Sequence, residues 1–269
     1  MRTFLCVLCI SVALFAQERA SVAFSDPSKP GRLRVNLLNG GITIRGYEGK
    51  EVVIESRPRA PEERRGRRSS EAADTAGLRR IPQNVAGLNV EEEGNSMTIS
   101  TSSHNHTVDL DIQVPMNTSL KLSSTNDGNI KVDRVRGEIE VNNTNGGVTM
   151  NNISGSVVAH ALNGDLVVTM DEVTPGKAMS FTSFNGKVDV RLPATTKARL
   201  SMRTDNGEIL SDFDIKLEPA GPQTKVEDSR SKGGRYKLQQ DKAVYGTING
   251  GGPDFIVKSY NGNLYIRKK

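Results

Sequence analysis

From Gly128 onward apolar and polar residues alternate in short bursts, each opened by a glycine: Ile130 and Val132, Ile139 and Val141, Val157 and Ala159, Leu166 and Val168. A spacing of two predicts strands with one buried face. The residues between them, such as Lys131, Glu140 and Thr149, are predicted to face solvent. A helix requires spacings of three and four kept up along its length, and here they only link one alternating burst to the next.

The bursts repeat. From Thr125 the chain reads TNDGNIKVDRVRGEIEV, TNGGVTMNNISGSVVA and LNGDLVVTM, with Gly128, Gly146 and Gly164 spaced 18 residues apart and Gly137 and Gly155 midway. The unit returns as FNGKVDVRL around Gly186, DNGEILSDF around Gly207 and YNGNLYIRK around Gly262, with an early copy, LNGGITIRG, around Gly41. Its turn positions are Gly41, Asn126 and Gly128, Asn145 and Gly146, Asn163 and Gly164, Asn185 and Gly186, Asn206 and Gly207, and Asn261 and Gly262. Glycine, and Asn or Asp more than most residues, accept the positive φ of a tight turn. Asn126, Asn145 and Asn163 are expected to stack as a hydrogen-bonded ladder that satisfies turn backbone groups.

This periodicity predicts an all-β fold, a single β-solenoid whose equivalent strands stack in parallel. An antiparallel β-sandwich is the alternative, since Asn-Gly also closes hairpins. Absence of tryptophan and 4% aromatics make the expected core aliphatic. The last strand, Leu264 to Ile266, is expected to leave an open edge guarded by Arg267, Lys268 and Lys269.

Two stretches break the pattern and are expected to protrude as insertions from a repeat domain spanning 24–269. Residues 57–83 hold eight arginines against four acids, so they carry +4 of the net +5. The second stretch, about 213–246, is marked as loop by Pro219, Pro222, Gly233 and Gly234. Arg64, Arg65, Arg67 and Arg68 are candidate electrostatic contacts to an anionic polymer. A solvated loop is the simpler reading, because Glu62, Glu63, Glu71 and Asp74 offset the charge and nothing apolar anchors it. Without interleaved aromatics, nucleic acid is not an expected partner.

Met1-Arg2-Thr3 followed by apolar residues from Phe4 to Ala16 reads as a secretory signal within 1–23, cleaved after Ala16 or Ala23. Cys6 and Cys9 lie inside it, so the mature chain is expected to lack disulfides, thiol nucleophiles and cysteine metal sites. No later segment is apolar enough to cross a membrane. The expected location is the periplasm, the cell surface or the medium.

The strings LNGGITIRG, TNDGNIKV, LNGDLVV, FNGKVDV, TINGGGPDF and YNGNLYI, strung along one exported chain, resemble the bacterial putative-adhesin family of β-strand-repeat proteins. The likeness covers residues 33–56 and 85–269. It implies a β-helical or solenoid domain at the cell surface or in the periplasm with an adhesive role. It transfers no catalytic or binding residue.

His104 and His106 would share a strand face and could seat a metal with Asp109 or Asp111, whereas an exposed polar strand end explains them as well. His160 stands alone. Asp127 and Asp165 are isolated, unlike the regularly repeated aspartates of calcium-binding nonapeptides. Gly250-Gly251-Gly252 is followed by Pro253, so it cannot open a dinucleotide-binding helix. Asp133, Glu138, Glu140, Asp165, Asp171 and Asp189 are the carboxylates a glycan-cleaving β-helix enzyme would draw on, but no pair repeats at a spacing that argues for acid and base. The expectation is a non-enzymatic structural or binding module without cofactor or metal, whose partner is a surface polymer or protein. A polysaccharide hydrolase or lyase is the alternative.

Overall fold

The alternation becomes strands that are buried on one side: Val108–Pro115 alternates buried and half-buried positions along its whole length. The computed structural model describes residues 18–59, 87–101, 107–218, 224–228, 236–240 and 242–269. Among them every regular element is a strand. In chain order these are β1 (Glu18–Ala23), β2 (Arg32–Asn39), β3 (Ile42–Tyr47), β4 (Glu51–Pro58), β5 (Leu88–Glu93), β6 (Ser96–Thr101), β7 (Val108–Pro115) and β8 (Ser119–Asn126). Next come β9 (Ile130–Asp133), β10 (Arg136–Asn145), β11 (Val148–Asn163), β12 (Leu166–Val173), β13 (Met179–Asn185), β14 (Val188–Leu192) and β15 (Ala198–Asn206). The remainder are β16 (Ile209–Ser211), β17 (Lys216–Leu217), β18 (Thr224–Asp228), β19 (Tyr236–Gln240), β20 (Val244–Ile248), β21 (Asp254–Asn261) and β22 (Leu264–Lys268).

Residues 18 apart lie side by side: Val148 pairs in parallel with Ile130 on one side and Leu166 on the other. Two faces result, joined by the long β11. Strands that precede a turn glycine follow the order β5-β6-β2-β8-β10-β11-β13-β21-β15-β20-β17. Strands that follow it run β1-β4-β7-β3-β9-β11-β12-β14-β22-β16. Pairing is parallel through the middle and antiparallel at the ends, through β5–β6 and β1–β4–β7 at one end and β15–β20–β17 at the other.

Inward residues form columns along the stack. One runs Leu33, Leu120, Ile139, Val157 and another Ile44, Val132, Met150, Val168, Val190, Ile266, all buried in a single core cluster. Each such side chain contributes about 1.5–3 kcal/mol. A third column beside the turns is polar. Ser124 Oγ donates to Gly40 O, Asn143 Nδ2 to Gly128 O, Ser183 Oγ to Gly164 O, Ser259 Oγ to Gly186 O and Thr204 Oγ1 to Gly262 O, at 2.8–3.0 Å. Ala161, registered between Asn143 and Ser183, interrupts that column. Ala161→Ser is expected to supply the missing bond to Gly146 O and to stabilise the chain by about 0.5–1.5 kcal/mol. A higher urea midpoint at unchanged slope is the readout.

Several expectations change. The first turn glycine is Gly40 rather than Gly41: φ is +127° at Gly40, and Gly128 packs against its carbonyl. Coil order departs from chain order, because β2 lies between β6 and β8, and β21 between β13 and β15. The C-terminal strand β22 is therefore no edge, being flanked by β14 and β16. Where the stretch at about 213–246 is described, its ends do not protrude: Phe213 is buried, and β17 and β20 add to the last coil. Strands β18 and β19 within it form a separate antiparallel pair. At the other end β1 pairs with β4 from residue 18 to 23, so cleavage after Ala23 would delete a paired strand. Residues 1–17 and 60–86 lie outside the described residues.

Candidate functional site

The turn positions read from the sequence come together along one corner of the stack. Asn126 Nδ2 donates to Asn39 Oδ1 at 3.2 Å, Asn145 to Asn126 at 3.2 Å, Asn163 to Asn145 at 2.9 Å and Asn185 to Asn163 at 2.8 Å. Asn261 then donates to Asn185 at 2.7 Å, and Asn206 to Asn261 at 2.8 Å. Beside them runs a glycine column in which a Cβ on Gly128, Gly146, Gly164, Gly186, Gly262 or Gly207 would overlap the carbonyl of the neighbouring coil's glycine. Close backbone approach therefore demands glycine here. Positive φ does not account for the column, since neither Gly128 nor Gly207 has it.

The six carboxylates set aside for catalysis each meet a cation. Asp133 pairs with Arg134 at 3.0 Å, Glu138 with Lys177 at 3.0 Å, Glu140 with Lys121 at 2.7 Å and Asp165 with Lys187 at 3.6 Å. Asp171 pairs with Lys269, and the buried Asp189 lies between Arg191 at 3.8 Å and Arg267 at 3.3 Å. The Lys177 hydrogen bond holds the Glu138 carboxyl below its ordinary range. Asp205 is likewise held low, chiefly by its hydrogen bond from Arg203, with Lys242 adding to the effect. Both pairs stabilise the fold above the ordinary carboxylate range and lose that contribution as pH falls.

Asp127 contributes its backbone carbonyl to Arg59, and Asp165 Oδ1 accepts from the backbone of Lys187. His160 Nδ1 lies 2.9 Å from Thr182 Oγ1. Among the described residues no three His, Cys, Asp or Glu side chains gather as a metal group. His104, His106, Arg64, Arg65, Arg67 and Arg68 lie outside the described residues.

What the repeat leaves displayed is a patch on the outer face of β11, β13 and β21. Leu162, Phe184 and Tyr260 each stand one residue before a ladder asparagine and are 36%, 43% and 45% exposed. The Phe184 and Tyr260 rings stack with centroids 4.8 Å apart and planes 3° from parallel. Val158, 50% exposed, extends the patch along β11, and its row continues through Ser180 to the half-buried Ile256. Between these apolar rows runs a polar one, Asn142, His160, Thr182 and Lys258. At Val158 the patch joins an open groove of about 510 Å³ lined by Arg32, Arg34, Lys121, Glu138 and Glu140. Contiguous exposed apolar surface with a polar rim marks interaction sites on soluble proteins.

The sequence reading missed this patch, although its signal was present. Alternation assigns the residue before each ladder asparagine to solvent, yet LNG, FNG and YNG place Leu162, Phe184 and Tyr260 there. Leu38 in the early LNG copy is exposed as well, at 38%, but Thr125 and Thr144 hold this position in the coils between, so Leu162, Phe184 and Tyr260 alone are neighbours there.

These features define an all-β protein with an apolar patch on the outer face of β11, β13 and β21. The chain belongs to the Toastrack DUF4097 family, which matches residues 97–242. Among solved structures, a putative cell adhesion protein from Clostridium sporogenes is similar at 13% identity and a TM-score of 0.46, over 94% of this chain and 100% of that one. A putative adhesin from Bacteroides fragilis is similar at 10% identity and a TM-score of 0.36, over 95% and 98%. No curated protein matches the chain.

Proposed function

We propose that this chain is an exported, non-enzymatic β-solenoid that holds a surface polymer or protein against its side face. The observation that carries the reading is the patch of Val158, Leu162, Phe184 and Tyr260, displayed on adjacent coils of a scaffold whose other outward positions are largely polar. Pairing of all six candidate carboxylates with cations argues against a free acid and base, and so against a glycan-cleaving role. The asparagines and glycines of the turn column serve as structural turns that fix coil register. Arg64, Arg65, Arg67 and Arg68 add a charge-borne contact to anionic polymers, which salt above roughly 0.1 M should weaken. Signal cleavage after Ala16 leaves β1 in place and delivers the chain to the periplasm, cell surface or medium.

Phe184→Ser/Tyr260→Ser should remove the stacked rings while leaving the core untouched, because both side chains are exposed. On an array of cell-envelope glycans and surface proteins, the parent chain is expected to bind at least one member. The double variant should lose about tenfold or more in affinity for it, as removal of an aromatic anchor does, at an unchanged melting temperature. Undiminished binding by the variant contradicts the patch as the contact. Binding to nothing on the array removes the adhesive reading.

A further inference from the structure

The chain contains seven Asn-Gly pairs, starting at Asn39, Asn145, Asn163, Asn185, Asn206, Asn249 and Asn261. Such pairs are chemically labile. The glycine backbone nitrogen attacks the asparagine Cγ, ammonia leaves, and water opens the resulting cyclic imide to aspartate or isoaspartate. Attack requires a glycine nitrogen free of hydrogen bonding and a side chain free to turn onto it.

The stack withholds both at five pairs. The N–H of Gly40, Gly146, Gly164 and Gly186 donates to the asparagine carbonyl of the next coil at 2.9 Å, and that of Gly262 does so at 3.1 Å. The asparagines of these pairs are rungs of the ladder, each bonded through its side-chain amide group. Asn249 is anchored differently, its Nδ2 donating to Ala194 O at 2.9 Å and Thr196 O at 2.7 Å.

Asn206 is the exception, because its coil is the last. Strand β20 covers β15 only from Ala198 to Met202 and stops short of the turn. Both Asn206 and Gly207 are exposed, and among the described residues nothing accepts the Gly207 N–H. A single rung, the 2.8 Å bond to Asn261 Oδ1, holds the Asn206 side chain.

We propose that Asn206 is a site of spontaneous deamidation, and that the ladder shields the other rungs. The new carboxylate has no proton to give Asn261 Oδ1, so two acceptors face each other at the end of the ladder. Asn261 cannot turn its amide to compensate without giving up its own bond to Asn185. The last coil, β15 to β16, is thereby loosened.

Ageing the folded chain at mildly alkaline pH and physiological temperature, followed by peptide mapping for the mass gain and for isoaspartate, tests this. Modification at Asn206 is expected to outpace every other Asn-Gly pair by about tenfold or more, the rate equivalent of one or two lost hydrogen bonds. In denaturant all seven should react at comparable rates. An internal rung or Asn249 reacting as fast as Asn206 in the folded chain overturns the proposal, as does the same ranking in denaturant. Asn206→Asp, which mimics the product, is expected to speed hydrogen exchange across residues 198–211, and unchanged exchange contradicts the loosening.

Discussion

Gly146→Ala is expected to cost about 3 kcal/mol or more, while Gly147→Ala, one residue away, is expected to be close to neutral. A Cβ at 146 would overlap the carbonyl oxygen of Gly128, and φ there is +145°, so the added methyl meets both backbone of the adjacent coil and an unfavourable conformation. Relief requires parting two parallel strands that share a ladder, and no side chain can yield in their place. At 147 the nearest atom to a Cβ is Asp165 O at 3.3 Å and φ is not positive, so a small adjustment suffices. Alanine there also lowers the entropy of the unfolded chain, an offset of about 0.4–1 kcal/mol. Urea denaturation of the two variants beside the parent reads the difference. Equal costs would show that coil contact is not what selects the turn glycine.

The second large effect is in the core. Phe181 is fully buried between Ala159 and Val257 in its column. Truncation leaves a gap that neither neighbour can fill, since each is fixed by its own strand pairing on both sides. Phe181→Ala should therefore cost about 3–5 kcal/mol, toward the upper end for large-to-small changes. Coils in a stack touch only their neighbours, so the loss is expected to be concentrated there. Hydrogen exchange should rise most in β11, β13 and β21. A uniform rise across the chain contradicts the picture of nearest-neighbour coupling.

Alternation in the sequence was enough to assign the strands and their buried faces, as the pair Ile130 and Val132 and its counterparts in later copies show. The asparagine ladder was legible too: Asn126, Asn145 and Asn163 hydrogen-bond in sequence, although the step from Asn126 to Asn145 is one residue longer than the repeat. Coil order was not legible. Every copy presents the same apolar columns and the same Asn-Gly corner, so local pattern cannot say that β2 inserts between β6 and β8, or β21 between β13 and β15. That choice depends on the antiparallel ends, where β5 and β20 turn the chain back, and these lack the repeat signature. The candidate site was half legible. Phe184 and Tyr260 violate the alternation visibly, but only parallel registry makes them neighbours and stacks their rings.

That the 18-residue step is a registry of stacked parallel coils is tested most directly by a cysteine pair. Cys6 and Cys9 are the two cysteines of the sequence, and replacing both with serine gives a thiol-free background. Thr149→Cys/Val167→Cys places thiols at registered positions on adjacent parallel strands. Their Cα atoms lie about 4.8 Å apart, inside the roughly 4.4–6.8 Å span a disulfide tolerates. Thr149→Cys/Thr169→Cys shifts one thiol by two residues and out of reach. On mild oxidation the first pair is expected to form an intramolecular disulfide in the monomer and the second is not. Failure of the first pair to close, or closure of both alike, contradicts the parallel stack.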